Sequence, residues 1–126
     1  MEPLFIEPTK STPKVNFDPG KGVFQIYGRS LPEDVKTFYN PVIEWLQKYL
    51  ENPNPTTVLD FELEYFNTAS SKIILEIIKL LKVPASKGID VQVSWRHHED
   101  DEDNLEVGQD YASIVNIPFT FTSYTG

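Results

Sequence analysis

Two hydrophobic periods divide this chain. Val15 and Phe17 alternate with Lys14, Asn16 and Asp18, and Phe24 and Ile26 alternate with Gln25 and Tyr27, on either side of the turn-forming run Asp18-Pro19-Gly20-Lys21-Gly22. This period of two predicts an N-terminal hairpin. It returns at Leu59, Phe61, Leu63 and Tyr65 against Asp60, Glu62 and Glu64, within a strand from Val58 to Phe66. It appears again at Ile89, Val91, Val93 and Trp95 against Asp90, Gln92, Ser94 and Arg96, and at Ile117, Phe119 and Phe121 against Thr120 and Thr122. A period near 3.6 links Val35, Phe38, Tyr39, Val42, Trp45, Leu46 and Tyr49 in a helix over about Leu31 to Glu51. Ser30 and Glu33 have the spacing of a capping box, with Pro32 in the permissive first turn. Pro41 should kink or break this helix, with Asn40 as a new cap, and Asn52-Pro53-Asn54-Pro55 ends it. Ile73, Ile74, Ile77, Ile78 and Leu81 form the stripe of a second helix that begins near Ala69, and a third covers about Asn104 to Ile114.

Because each strand has one polar face, the helices must pack on one side only. The expected fold is a two-layer α/β domain over residues 1–126: a mixed β-sheet with an N-terminal hairpin and helices on one face, in the order ββαβαβαβ. At 126 residues, 40% of them hydrophobic, the chain buries roughly two thirds of its unfolded surface and folds without staples. The absence of cysteine removes disulfides, thiol nucleophiles and thiolate metal sites, and fits a reducing compartment. Met1 to Lys14 contains no apolar leader-like run, and no stretch approaches the roughly eighteen apolar residues of a membrane span, so a soluble cytoplasmic protein is expected. Nineteen acids against eleven bases give a net charge of −8, which repels a phosphate backbone and disfavours nucleic acid as a partner.

Most candidate chemistry has a plainer explanation. Asp60, Glu62 and Glu64 share one strand face at a spacing suited to a metal or an acid/base pair, but a solvated sheet face gives the same pattern. The acidic run Glu99 to Asp103 follows His97 and His98, yet adjacent histidines on a strand point to opposite sides, and no metal site is expected. Lys21 lies between two glycines without the spacing of a phosphate loop. No nucleophile elbow or HExxH motif is present, so neither catalysis nor a cofactor is expected. Trp45 and Trp95 fall on the apolar faces of their elements and read as core.

One segment remains, Tyr65-Phe66-Asn67-Thr68-Ala69-Ser70-Ser71-Lys72, where a strand turns into a helix. The first N–H groups of a helix lack internal partners and lie at the positive end of its dipole, so a hydroxyl there either caps the helix or carries a phosphate. Thr68, or Asn67, is the candidate cap. Thr68 is also the candidate phosphoacceptor, with Ser70 and Ser71 as secondary ones and Asn67, Thr68, Ala69, Ser71 and Lys72 as the switch surface.

A polar strand end followed by Thr68 and an apolar helix resembles the STAS domains of anti-sigma factor antagonists, with Asn67 in the position of their Asp, Thr68 in that of the acceptor, and Lys72 near that of the Gly. The chain resembles the SiaC family of regulatory phosphoproteins along nearly its whole length. The matching segments are Thr9-Lys10-Ser11-Thr12-Pro13, Phe38-Tyr39-Asn40-Pro41-Val42 with Trp45, Leu63-Glu64-Tyr65-Phe66-Asn67-Thr68, and Val93-Ser94-Trp95. The resemblance implies a STAS-like, non-catalytic fold with Thr68 as phosphoacceptor. It also implies a cognate cytoplasmic serine/threonine protein kinase, an opposing PPM-type metal-dependent phosphatase, and an output protein such as a diguanylate cyclase, tied to cyclic di-GMP and biofilm regulation. The other readings of the residues are a STAS-like structural or ligand-binding module in which Thr68 is only a cap, and an enzyme built on Asp60, Glu62 and Glu64.

Overall fold

The computed structural model describes residues 1–126. Six strands and four helices follow in the order β1 Leu4–Ile6, β2 Lys14–Asp18, β3 Val23–Ser30, α1 Val35–Tyr49, β4 Thr56–Phe66, α2 Thr68–Lys79, α3 Lys82–Ser86, β5 Asp90–His98, α4 Glu102–Val115 and β6 Phe119–Tyr124. The strands lie side by side in chain order in one mixed sheet, antiparallel from β1 to β3 and parallel from β3 to β6. The apolar residues read from the alternation (Val15, Phe17, Phe24, Ile26, Leu59, Phe61, Leu63, Val91, Val93 and Trp95) are buried under the helices, in one cluster with the helical stripes. No helix is long and apolar enough to cross a membrane.

Four features depart from the expected layout. The proline-punctuated lead contributes a strand, because Leu4 and Ile6 find Phe17 and Val15 across the ladder and Phe5 finds Asn16. A short helix, α3, follows α2, so the order is βββαβααβαβ rather than ββαβαβαβ. Helix α1 starts at Val35, not near Leu31: Ser30 stays in β3 opposite Phe66, and Asp34 is the cap, its carboxylate accepting the Thr37 N–H at 3.1 Å. That bond holds the Asp34 carboxyl below its usual range. Finally, α1 runs through Pro41 as one helix with no new cap at Asn40. Thr37 and Pro41 are both exposed, so the carbonyl freed by the missing N–H meets water.

The centre of the core is Trp95. Its Nε1–H donates to the side-chain oxygen of buried Asn104 at 2.9 Å, and the Asn104 amide donates in turn to the Leu63 carbonyl at 2.8 Å. Tyr111 and Phe66 meet the indole edge-on, at 5.7 and 6.2 Å between centroids. Gly108 of α4 lets that helix lie flat on the ring: a Cβ there would stand 2.7 Å from indole atoms. Trp45 is only half-buried, stacked on Tyr49 at 5.5 Å with its Nε1–H on the Glu2 carbonyl.

Gly108→Ala is therefore expected to destabilise the protein. Overpacking costs about 1–3 kcal/mol, and the better helix propensity of alanine returns about 1. Equilibrium urea unfolding should show a net loss; an unchanged or higher midpoint would mean that the indole has room to retreat.

Candidate functional site

The geometry of the strand-to-helix corner begins with one extra residue. Gly28 pairs with Leu63 and Arg29 with Tyr65, so Glu64 is a β-bulge. The alternation slips there. Tyr65, expected on the apolar face, turns out to solvent, where Arg29 lies over its ring at 5.4 Å and reaches the Glu64 carboxylate at 3.5 Å. Phe66 turns inward onto Trp95 instead. Asn67 then leaves the sheet with its N–H on the Ser30 carbonyl at 3.0 Å and begins α2.

Asn67 is the cap. Its side-chain oxygen accepts the Ser70 N–H at 2.9 Å, and its backbone is extended, as an N-cap requires. Thr68 is the first residue inside the helix, exposed, and its hydroxyl makes no hydrogen bond within the chain. The two candidate secondary acceptors differ from it. Ser70 is fully buried, with its hydroxyl bonded to Ser30 Oγ at 2.9 Å, and Ser30 bonds Tyr39 OH at 2.6 Å. Burial pushes the Tyr39 hydroxyl up to about 12, against the bond to Ser30 that draws it down. A kinase has no access to Ser70 in the folded protein. Ser71 is half-buried, with its hydroxyl on the Thr68 carbonyl at 2.7 Å, and its own carbonyl accepts from Tyr111 OH of α4.

Beside Thr68 runs a shallow groove of about 500 Å³ between α1 and α2, lined by Val35, Lys36, Thr68, Ala69, Lys72, Ile73 and Glu76. Ile73 lies on this groove, whereas Ile74, Ile77, Ile78 and Leu81 fill the core. Lys36 and Lys72 line the same groove as Thr68, and neither is in an ion pair. Lys36 is distant in sequence, and only the α1–α2 packing brings it here.

Several of the other acidic candidates have structural partners. Asp60 accepts from Tyr27 OH at 2.6 Å and from Arg96 Nε at 3.1 Å. Burial, then the bond to Asp60, raises the Tyr27 hydroxyl well above its usual range. Asp60 is thus held apart by its own partners, while Glu62 and Glu64, the latter 3.5 Å from Arg29, line a shallow cavity with His98, Asp100 and Asp101. Of the run Glu99 to Asp103, only Glu102 and Asp103 are helical. Asp101 caps α4 by accepting the Asn104 N–H at 3.0 Å, and Glu102 and Asp103 occupy the first turn, where the dipole favours acids. His97 is buried and His98 half-exposed, on opposite sides of β5. No cluster of three or more His, Cys, Asp or Glu side chains is placed to hold a metal ion.

Fold and corner together define a small two-layer α/β module with an unengaged hydroxyl at the start of a packed helix. The chain belongs to the SiaC family of regulatory phosphoproteins, whose family model matches residues 6–124. An uncharacterised protein of Pseudomonas aeruginosa (strain UCBPP-PA14) is 28% identical over 124 residues, 98% of both chains. The crystal structure of apo-SiaC from Pseudomonas aeruginosa superposes with a TM-score of 0.86 at 29% identity, over 98% of this chain and all of that one. SiaC in complex with the diguanylate cyclase SiaD, of which it is the activator, gives a TM-score of 0.89 at 28% identity, over 96% of this chain and 99% of that one.

Of the two candidate caps, Thr68 and Asn67, the structure selects Asn67. Asn67→Ala should cost about 1 kcal/mol, and Thr68→Ala, at an exposed and unbonded position, less than about 0.5. Denaturant titrations of the two variants check this; a larger loss for Thr68→Ala would return the cap to Thr68.

Proposed function

We propose that this chain is a non-catalytic, phosphorylation-controlled partner-switching module of the cytoplasm. Its unphosphorylated form binds and activates a diguanylate cyclase, a cognate serine/threonine protein kinase places a phosphate on Thr68, and a PPM-type metal-dependent phosphatase removes it. The observation that carries this reading is the Thr68 hydroxyl, exposed and unbonded at the first residue of α2 in a chain of this family. The likeness to a SiaC that activates a diguanylate cyclase supports the choice of output partner.

A phosphothreonine brings about −1.5 to −2 charge. The dipole of α2 offers it about 0.3–1 kcal/mol, and Lys36 and Lys72 add attraction while Glu76 of the same groove opposes it. These contributions are small because the site is exposed, and the core lies on the other side of α2. The fold therefore tolerates both states. An interface does not: covering an unpaired dianion with apolar or acidic surface costs several kcal/mol, and about 3 kcal/mol lowers affinity more than a hundredfold.

Phosphopeptide mapping of protein from its own cells is expected to place the phosphate on Thr68, with Ser70 and Ser71 unmodified. For the mimics, Thr68→Asp should melt at least as high as Thr68→Ala, since an added acid in the first turn suits the dipole. Binding should run the other way. In pull-downs with a SiaD-type diguanylate cyclase, Thr68→Ala should hold the cyclase and Thr68→Asp should hold it more weakly. Equal retention by both, or an unfolded Thr68→Asp, would leave Thr68 a plain helix-start residue in a structural or ligand-binding module.

A further inference from the structure

The two edges of the sheet are finished differently. The β1 edge is guarded: it is three residues long, lies between Pro3 and Pro8, and is flanked by Glu2 and Glu7. Proline, charge and shortness are the usual devices that keep an edge from pairing with a foreign strand. At the far edge, β6 reads Phe119-Thr120-Phe121-Thr122-Ser123-Tyr124, with no charge, proline or glycine, and it pairs with β5 in one unbroken register.

The direction of its free groups follows from its bonds to β5. Val93 N–H donates to the Pro118 carbonyl and Glu99 N–H to the Tyr124 carbonyl, both at 2.9 Å. In a parallel pair, alternate residues turn toward the neighbour. Thr120, Thr122 and Tyr124 thus serve β5, and Phe119, Phe121 and Ser123 hold their N–H and C=O groups outward, where no element follows in the sheet. Phe119 and Phe121, with ring centroids 5.7 Å apart, are half-buried on the helix side, and Thr120 and Thr122 are exposed on the open side.

We infer that this edge is a homodimer surface, on which β6 of a second copy pairs antiparallel about a two-fold axis at Phe121. Two requirements select that register. Outward-turned groups must oppose outward-turned groups, and residues directly opposite must share a face. Both hold when Phe119 faces Ser123 of the second copy and Phe121 faces its own counterpart. Each of these pairs, and the symmetric Ser123–Phe119 pair, then exchanges both backbone hydrogen bonds. A slip by two residues loses one pair. On the open face, Thr120 falls opposite Thr122 of the second copy. The occupant is a second copy because the strand is its own complement in bond direction, face and residue class. Its six residues carry no charge, and the acids nearest it, Glu62, Glu64 and Asp101 beside Tyr124, lie at its C-terminal end rather than at the two-fold axis through Phe121. The surface is separate from Thr68, and the inference stands or falls independently of the phosphorylation reading.

Sedimentation velocity from low to high micromolar concentration tests it, on the wild type and on two exposed-face double variants. Thr120→Lys/Thr122→Lys sets lysine opposite lysine in this register, and Thr120→Lys/Thr122→Glu sets lysine opposite glutamate. The wild type is expected to approach twice the 14.5 kDa chain mass, more readily at higher salt. The Lys/Lys variant should dissociate at least tenfold more readily, and the Lys/Glu variant should pair like the wild type, with circular dichroism unchanged in both. A wild type that stays monomeric throughout, a Lys/Lys variant that still pairs like the wild type, or a folded Lys/Glu variant that does not pair, would overturn the inference.

Discussion

The single extra residue in β4 governs this structure's working end. Without the bulge at Glu64, the period of two would carry Tyr65 into the core and Phe66 out to water, and the chain would leave the sheet on the wrong face. With it, Phe66 closes the edge of Trp95, the Asn67 N–H reaches the Ser30 carbonyl, and α2 starts with its first hydroxyl facing solvent. The Leu63 carbonyl beside the bulge lies past the last β4–β5 pair, and the Asn104 amide takes it up. The corner is thereby tied to α4 and to the indole at the centre of the core.

What surrounds Thr68 is correspondingly rigid. Ser70 is joined through Ser30 to Tyr39 of α1, and the Ser71 carbonyl is held by Tyr111 of α4. Both tyrosine hydroxyls are raised by burial, so they stay protonated and donating across the physiological range. The first turn of α2 is anchored on its inner side by neutral hydroxyls while its outer side carries Thr68, Ala69 and Lys72. A charge added on that outer side changes what the surface presents and leaves the anchors alone. This division of one helical turn into a fixed face and a presented face is the physical basis on which we place the switch at the interface.

Much of the fold was legible because its signals are local. The alternation from Leu59 to Leu63 and from Val91 to Trp95 identifies the faces of the central strands, and the stripe from Ile74 to Leu81 identifies the inner side of α2. The failures share a cause: they depend on distant residues. A bulge leaves no mark in a period of two, so Tyr65 read as core. Ser30 and Asp34 both suit a helix start, and only the engagement of Ser30 with Tyr39 and Ser70 decides between them. Asn67 and Thr68 are adjacent and both of capping type; the strand exit selects Asn67. Pro41 read as a break because its solvent exposure is a property of the packed helix. Lys36 had no sequence signal as a lining residue of the Thr68 groove, since α1 borders that groove only through packing on α2.

The central claim is that phosphate at Thr68 acts on binding while the corner stays folded. Amide hydrogen exchange at Ser70 and Ser71, measured on protein fully phosphorylated at Thr68 and on the unphosphorylated form, tests it most directly when paired with the affinity of each form for a SiaD-type diguanylate cyclase. The account predicts protection at both amides that changes by less than about tenfold, equivalent to less than about 1.4 kcal/mol of local stability, and affinity that falls more than about a hundredfold. Loss of protection across the first turn of α2, or unchanged affinity with the phosphate in place, would contradict it.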